Sequence, residues 1–288
     1  MTLARRVSTT RAMNILITGA TSGIGLDAAK AFASKGHRVF AAGRNLGALD
    51  AIGDVEPISL DVTSRESIDA AFDLVMERTN GHGVDVLVNN AGYATAGPIV
   101  EMEESALRAQ FDTNVFGLVA VTKRFVPPMM RRRAGRVVNV GSVSGRIPSP
   151  MLGAYHATKY ALEALNDAMR MELAPFGVDV ALVEPGTIKT AFAKRVVSEA
   201  SAVRAGSLYA PVYANIDSLE DRFARVAAST EHTTRALLHA ALARRPCTRY
   251  VAPRRFWAVI ALFRVVPTRV LDAITRVTFG LTRVKLGA

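Results

Sequence analysis

Three residues of the chain have the types and the spacing of an acid–base centre, namely Ser142, Tyr155 and Lys159. Positions i and i+4 of a helix share one face, so the Tyr155 phenol and the Lys159 ammonium can enter the same pocket. A free tyrosine has a pKa of about 10 and is almost fully protonated at neutral pH. Because an adjacent cation favours the phenolate, we expect Lys159 to lower the pKa of Tyr155. Such a tyrosine could exchange a proton with an alcohol or a ketone oxygen.

The Tyr–Lys spacing alone is more often that of an exposed helix face, but a pattern near the N-terminus supports the catalytic interpretation. Residues 14–18 form a short apolar run that predicts a buried strand, and residues 26–35 follow a helical pattern. The segment between them reads Gly-Ala-Thr-Ser-Gly-Ile-Gly over 19–25. Strand, glycine turn and helix are the context of a dinucleotide fingerprint, in which a pyrophosphate rests on the helix N-terminus.

The glycine spacing, G-x-x-x-G-x-G, resembles the signature of the short-chain dehydrogenase/reductase family. Further motifs of that family follow in the same order over residues 13–251: Asp61 with Val62, Asn89 to Gly92, Asn114, Ser142, Tyr155 with Lys159, and Pro185 with Gly186. The phrase over 248–251 and the basic extension after it look most like the hydroxysteroid and retinol dehydrogenase branch.

The resemblance implies a catalytic tetrad of Asn114, Ser142, Tyr155 and Lys159. In it, Tyr155 is the general acid in reduction and the base in oxidation, and Lys159 also holds the nicotinamide ribose. Ser142 orients the substrate oxygen, and Asn114 completes a proton relay through water. A mid-helix asparagine is disfavoured by propensity, which makes a purely structural role for Asn114 less natural.

The resemblance also implies a set of residues that hold the cofactor. The first turn supplies Gly19, Thr21, Ser22, Gly23, Ile24 and Gly25; the strand ends supply Asp61, Val62, Asn89, Ala91 and Gly92; and Pro185, Gly186 and Thr187 close over the nicotinamide. Asp61 would bond the adenine amino group, although it is also a candidate for capping the next helix, in competition with Thr63 or Ser64.

NADP(H) is the predicted cofactor. An NAD site places an acidic residue about 20 residues beyond the glycines, on the ribose hydroxyl. The chain has no acidic residue between Arg38 and Leu49, and Arg44 follows the second predicted strand. An arginine there can hold a 2′-phosphate through two parallel hydrogen bonds, and in the family it accompanies NADP preference.

The net charge of +11 lies at the two ends of the chain. Residues 13–243 hold 23 basic and 24 acidic residues, whereas the segment from Arg244 onward holds ten basic residues and Asp272 alone. We therefore predict no nucleic-acid partner, since no basic reading element is recognisable. The single Cys247 has no metal-ligand neighbours, so we predict no metal, and one cysteine fits a reducing, cytoplasmic compartment.

The residues 254–288 form a basic amphipathic tail. Phe256, Trp257, Ile260 and Phe263 can share one helical face, and after Pro267 a second stripe comprises Val270, Ile274, Val277 and Leu281. Apolar stripes flanked by arginines are typical of helices that lie on an anionic membrane. The alternative is that both helices fold back and cover the substrate cleft or a dimer surface. No apolar run is long enough to span a membrane.

The elements that position these residues alternate between strand and helix, which predicts a single Rossmann-type, doubly wound parallel sheet with helices on both faces. Strands are predicted at 14–18, 38–42, 55–60, 84–89, 136–140, 178–184 and 248–251, and helices at 23–35, 45–52, 64–79, 103–131, 155–174 and 230–243. Pro127 and Pro128 should end or kink the helix over 103–131. The predicted organisation is an N-terminal extension over 1–12, a catalytic domain over 13–253 with a substrate loop near 187–229, and the tail.

We expect a reductase or dehydrogenase acting on a hydrophobic ketone, aldehyde or alcohol of steroid, retinoid or lipid type. The predicted apolar walls are Tyr93, Ile147, Met151, Leu152, Phe192, Leu208, Tyr209, Val212 and Tyr213. A 3-oxoacyl-thioester reductase and a non-catalytic dinucleotide sensor are the alternatives. The sequence is also compatible with a homodimer.

Overall fold

The structure, a computed structural model, describes residues 12–188, 206–210, 212–213 and 227–283. Seven parallel strands form one sheet in the order β3-β2-β1-β4-β5-β6-β7. The strands are β1 Asn14–Thr18, β2 Arg38–Gly43, β3 Glu56–Ser59, β4 Val86–Asn89, β5 Gly135–Val140, β6 Val178–Pro185 and β7 Arg249–Ala252. Because the chain order reverses between β1 and β4, a crevice opens at the carboxyl ends of these strands.

Helices cover both faces of the sheet. They are α1 Gly23–Ala33, α2 Leu46–Asp50, α3 Arg65–Arg78, α4 Glu104–Phe111, α5 Leu118–Arg131, α6 Gly153–Leu173, α7 Glu231–Leu242, α8 Phe256–Val265 and α9 Thr268–Phe279. The predicted doubly wound fold is confirmed, and the strands and most of the helices end within two residues of the predicted positions.

The core has two layers because alternate strand residues point to opposite faces. Ile15 and Ile17 of β1 pack with Phe32 of α1 on one face, whereas Leu16 packs with Phe125 of α5 on the other. All five side chains are at most 2% exposed. Burial on both faces explains why the strands read as short, continuous apolar runs.

The predicted helix over 103–131 is interrupted by a π-helical segment, Asp112–Gly117, between α4 and α5. A β-carbon added to Gly117 would lie 2.8 Å from the Val62 carbonyl oxygen, so the segment passes very close to the chain after β3. The sequence predicts that Pro127 and Pro128 end or kink this helix. They do not end it, because α5 continues to Arg131.

Both tail helices are anchored on the protein by some of their apolar residues. Ile260 of α8 is 2% exposed, whereas Phe279 and Leu281 pack on the cluster of Ala96, Met151, Val212 and Tyr213. Within the described residues, no helix is both long and apolar enough to cross a membrane. Most of the predicted extension over 1–12 and of the predicted substrate loop, including Phe192, lies outside the described residues.

Candidate active site

The glycine turn after β1 is joined directly to the loop after β4. The Thr18 hydroxyl accepts hydrogen bonds from the backbone N–H groups of Asn90 and Ala91, both at 3.0 Å. The Asn90 side-chain amide donates in return to the carbonyls of Thr18 and Gly19, at 3.0 and 3.1 Å. Two segments about seventy residues apart are thereby held as one edge of the crevice.

Steric contacts require glycine at two positions of this turn. A β-carbon on Gly25 would lie 2.4 Å from the Gly19 carbonyl oxygen and 2.5 Å from the Asn90 amide nitrogen. Gly19 has φ +67°, and its added β-carbon would lie 2.8 Å from the Ala91 α-carbon. Any side chain at Gly25 would therefore push the turn and the loop after β4 apart.

The start of α1 is suited to an anionic group. The N-cap residue Ser22 makes no side-chain capping hydrogen bond, and the first turn of α1 has no acidic residue. The first N–H groups of a helix carry partial positive charge and need acceptors. The predicted dinucleotide residues of this turn, Thr21 to Gly25, thus fit a pyrophosphate at this position.

Arg44 and Asp61 lie near each other where β2 and β3 end. Arg44 is exposed, and its charge is one of the interactions that lower the pKa of the Asp61 carboxyl. The larger causes are hydrogen bonds to Asp61 from the backbone N–H and the hydroxyl of Thr63, at 2.9 and 2.7 Å. The cap of α3 is Ser64, which accepts from the Ser67 N–H, so Asp61 is not the capping residue.

Asn89, a predicted cofactor residue, has its side chain in the interior. It is 3% exposed and its amide donates to Thr122 and to Asn139, both at 2.9 Å. Asn139 in turn donates to Asn166 of α6 at 3.1 Å. These hydrogen bonds connect α5, β4, β5 and α6 behind the site.

Asn114 is held by three hydrogen bonds on the π-helical segment. Its side chain accepts from the Tyr93 N–H at 3.0 Å and donates to the Tyr93 carbonyl at 2.8 Å and to the Thr158 hydroxyl at 3.1 Å. A β-carbon on Gly92 would lie 3.0 Å from the Asn114 amide oxygen and 4.0 Å from the Lys159 ammonium. The loop after β4, Asn114 and Lys159 therefore converge on one point.

Lys159 is buried, with 7% of its surface exposed, and its ammonium donates to the Val140 carbonyl at 2.9 Å. Burial disfavours the charged form of an amine. It lowers the pKa of Lys159 to about 8. At neutral pH the residue is still a cation, but it titrates near the physiological range.

Tyr155 contacts both of its predicted partners. The Lys159 ammonium lies 5.7 Å from the centroid of the Tyr155 ring, and the Tyr155 phenol is in hydrogen-bonding contact with Ser142. Ser142 caps the short turn Val143–Gly145, and its hydroxyl also lies 3.3 Å from the Pro185 carbonyl.

The expected lowering of the Tyr155 pKa is not what the structure gives. Burial raises the pKa of Tyr155 to about 12, and the hydrogen bond with Ser142 offsets only part of that shift. The prediction was wrong because it counted the charge of Lys159 and could not count the desolvation of the phenol. Tyr155 is therefore protonated at neutral pH.

The Pro185–Gly186 turn lies between Ser142 and the tail. A β-carbon on Gly186 would lie 2.1 Å from the Phe256 ring, so the first turn of α8 packs directly on this glycine. The Thr187 carbonyl accepts from the Ala228 N–H at 2.9 Å, which ties the start of the predicted substrate loop to its end.

The predicted apolar walls are partly assembled. Met151, Val212 and Tyr213 are buried together with the half-buried Leu152 and Tyr209. Leu208 is 69% exposed and does not join them. Phe279 and Leu281 of the tail pack on this cluster and were not predicted as wall residues.

Three residues that hold the site together were not among the predicted site residues. Thr18 and Asn90 fix the glycine turn, and Thr158 fixes Asn114. Thr18 ends the first predicted strand and Asn90 stands inside the motif over 89–92, so both are polar residues at strand ends that the sequence makes visible. Thr158 has no sequence signal, because its partner Asn114 lies 44 residues away.

Comparison with known proteins identifies the class. The family model described as short chain dehydrogenase matches residues 13–201. The "uncharacterized oxidoreductase YbbO" of Escherichia coli K12 is 36% identical over 265 residues, covering 91% of this chain and 93% of that protein. The chain belongs to the short-chain dehydrogenase family and is an oxidoreductase.

Two further relatives and one solved structure have more specific descriptions. An "NADPH-dependent 3-dehydrocapnine reductase" of Ornithobacterium rhinotracheale is 32% identical, with 90% of this chain and 94% of that protein covered. Human "17-beta-hydroxysteroid dehydrogenase type 1" is 33% identical, with 86% and 80% covered. The structure of an actinorhodin polyketide ketoreductase with NADPH superposes with a TM-score of 0.72 at 26% identity, with 83% and 95% covered.

Proposed function

We propose that the protein is an NADP(H)-dependent reductase that converts a ketone or aldehyde of a hydrophobic substrate to the alcohol. The observation that supports it best is the juxtaposition of a protonated Tyr155 with Ser142 and with the buried cation of Lys159. Reduction of a carbonyl needs a proton donor at the oxygen, and the Tyr155 phenol, in hydrogen-bonding contact with Ser142, bears a proton at this position.

Each residue of the centre has a role in this reaction. A nicotinamide cofactor, when bound, supplies the hydride. Ser142 donates a hydrogen bond to the carbonyl oxygen and orients it, while Tyr155 gives its proton to the same oxygen. Lys159 stabilises the resulting phenolate, which shifts the proton transfer toward product. Asn114, fixed by Tyr93 and Thr158, is placed to return a proton through water.

The preference for NADP(H) is assigned to Arg44. Its guanidinium is exposed where β2 ends and can bind a 2′-phosphate, and the NADPH-dependent relative and the NADPH-bound ketoreductase support this choice. Arg44→Asp should weaken NADPH binding by removing a cation and adding repulsion. Arg131→Asp, at an exposed position at the end of α5, is the matched control. A wild-type preference for NADH would contradict the assignment.

We infer the substrate class from the apolar cluster around Met151, which immediately precedes α6. Met151, Val212 and Tyr213 are buried there, and the tail residues Phe279 and Leu281 pack on them. The test is NADPH oxidation with a panel of steroid, retinoid and long-chain ketones, one 3-oxoacyl thioester and a small polar ketone. Turnover of the hydrophobic ketones supports the proposal. Preference for the thioester identifies an acyl-thioester reductase instead, and no turnover with intact NADPH binding identifies a sensor.

We also propose that the tail holds the enzyme peripherally on an anionic lipid surface from the cytoplasmic side. Val270, Ile274 and Val277 lie on one face of α9 and are 48%, 58% and 67% exposed, and Leu262 and Val265 of α8 are 52% and 78% exposed. From Arg254 onward the sequence holds seven basic residues against Asp272. An apolar stripe with a net positive flank is complementary to an anionic bilayer. Phe256, Ile260 and Leu281 of the two predicted stripes are packed against the protein, whereas the α9 residues of the second stripe remain exposed, and the proposal of lipid contact rests on the latter.

Vesicle flotation tests this proposal. The full chain should float with anionic vesicles at low salt and detach at high salt, because exposed charges are screened. Val270, Ile274 and Val277 replaced together by serine should abolish flotation, whereas Met171→Ser on α6, which removes a 61% exposed side chain, should not. Equal flotation of the two variants, or none of the wild type, would show that the stripe does not meet lipid.

A further inference from the structure

A cluster of charged side chains is buried directly behind the catalytic residues. It comprises Arg146 after the Ser142 turn, Glu163 and Asp167 on α6, Glu184 at the end of β6 and Arg249 on β7. Glu184 has no exposed surface, and the side chains of Arg146, Glu163 and Arg249 are 13%, 14% and 17% exposed. Burying so many charges is costly unless they are paired.

The contacts within the cluster connect all the surrounding elements. The Arg146 Nε atom lies 2.7 Å from Glu184 Oε1 and 3.5 Å from Glu163 Oε2. Arg249 pairs with Glu163, and at 2.6 Å with Asp167. The Arg146 guanidinium also lies 5.6 Å from the centroid of the Trp257 ring on α8.

Two carboxylates in this cluster face each other. Glu163 and Glu184 are in hydrogen-bonding contact, and burial together with this neighbour raises the pKa of Glu184 to about 8. Among the described residues, Glu163 Oε1 and Glu184 Oε2 are buried without a hydrogen-bond donor, whereas Glu184 Oε1 is in ion-pair contact with Arg146 and Arg249. A proton on one carboxyl group supplies the missing donor. The other charged groups that face the pair are Arg146, Arg249 and Asp167, and the partly exposed Asp167 also pairs with Arg170 at 3.5 Å.

The cluster adjoins the segments that carry Ser142, Tyr155 and Lys159. Glu163 is one helical turn beyond Lys159, and Glu184 immediately precedes Pro185, whose carbonyl contacts Ser142. A β-carbon on Gly145 would lie 2.8 Å from the Lys159 carbonyl and 3.1 Å from Glu163 Cγ, so the Ser142 turn rests on α6 at this point.

We propose that Glu184 and Glu163 share one proton, and that this hydrogen-bonded pair positions the segments bearing Ser142, Tyr155 and Pro185 relative to one another. Glu184 is thus a positioning residue that acts through the backbone before Pro185. The positioning role rests on the proposed reductase function, whereas the shared proton does not.

The shared proton has a spectroscopic test that needs no substrate. At pH 7 the infrared carbonyl band of a protonated carboxylic acid should be present in the wild type and absent in Glu184→Gln. Glu172→Gln, which changes an exposed carboxylate on α6, should leave the band unchanged. Absence of the band in the wild type, or its persistence in Glu184→Gln, would overturn the proposal.

Unfolding gives a second, independent readout. The unfolded chain ionises Glu184 above its ordinary pKa of 4.5, whereas the folded chain keeps the proton up to about pH 8. As the pH rises from 4.5 to about 8, the wild type should therefore lose stability relative to Glu184→Gln. The unfolding equilibrium constant of the wild type should increase by up to about tenfold per pH unit relative to that of the variant. Parallel pH profiles of the two proteins would contradict the shared proton.

The positioning role is tested by kcat once a substrate is known. Glu184→Gln keeps the hydrogen bond and should retain most of kcat at pH 7. Glu184→Leu removes it and should lower kcat about tenfold or more, since small misplacements of reacting groups are costly. Equal kcat for the two variants would refute the positioning role. If Glu184→Leu does not fold, Glu184→Asp takes its place in the test, because it withdraws the carboxyl group by one methylene. A wild type without turnover on any carbonyl would count against the proposed function, and the infrared and unfolding results would still decide the shared proton.

Discussion

Replacing Lys159 by methionine should change how the stability of the protein depends on pH. The ammonium is buried, and desolvation lowers the pKa of Lys159 from 10.5 to about 8. Below pH 8 the folded chain holds a charge that water would solvate better. As the pH rises from 8 toward 10.5 the folded chain loses this proton before the unfolded chain does, so the free energy of unfolding should rise.

The magnitude follows from the size of the shift. Each pH unit well inside this window contributes about 1.4 kcal/mol, and because Lys159 is half ionised at pH 8, the wild type should gain about 2 kcal/mol relative to Lys159→Met between pH 8 and 10. The hydrogen bond lost from Lys159 to the Val140 carbonyl offsets the whole curve by about 1–3 kcal/mol but not its slope.

Urea unfolding of the cofactor-free protein at pH 7, 8, 9 and 10 measures this difference. Lys123→Met, which removes an exposed lysine from α5, should give a curve parallel to the wild type. If the wild-type and Lys159→Met curves are also parallel over this range, Lys159 is not a desolvated cation and the reasoning about its pKa fails.

Three other substitutions test the geometry of the site. Gly25→Ala should abolish NADPH binding in a calorimetric titration and cost about 1–3 kcal/mol of stability, because its β-carbon meets Gly19 and Asn90 at 2.4 and 2.5 Å; unchanged binding would refute the close approach. Gly186→Ala should lower the thermal midpoint of unfolding, because its β-carbon clashes with the Phe256 ring. The double variant Gly186→Ala/Phe256→Ala should recover part of that loss, and no recovery would show that Phe256 is not the obstacle. Asn114→Ala should lower kcat and destabilise the protein by about 1–3 kcal/mol, since the Tyr93 N–H loses the Asn114 acceptor and the Tyr93 carbonyl keeps Gln110 but loses Asn114 as donor. Equal stability in urea would contradict that account.

The sequence was sufficient to predict the strands of the sheet and the order of the loops that follow them. Apolar runs such as 14–18 are buried on both faces, so their pattern predicts strands without any knowledge of the partners. The glycine turn was equally readable, because a close backbone approach leaves glycine as the residue that fits. These are local properties, and local properties can be read from one sequence.

What the sequence could not give depends on contacts between distant segments. The π-helical turn around Asn114 is stabilised by Tyr93 and Thr158, which lie 21 and 44 residues away. The raised pKa of Tyr155 depends on how completely the phenol is desolvated. The pairing of Glu163 with Glu184 depends on the packing of α6 against β6, and nothing in the spacing of these residues indicates it.

The central claim, that Tyr155 is the proton donor of a carbonyl reduction, is tested most directly by separating turnover from cofactor binding in two variants. Tyr155→Phe should retain the wild-type Kd for NADPH within about threefold and reduce no ketone of the hydrophobic panel, since one hydroxyl is removed and the pocket is kept. Lys159→Ala should lose both turnover and affinity, because Lys159 is expected to serve the ribose as well as the phenol. Wild-type turnover by Tyr155→Phe would contradict the account.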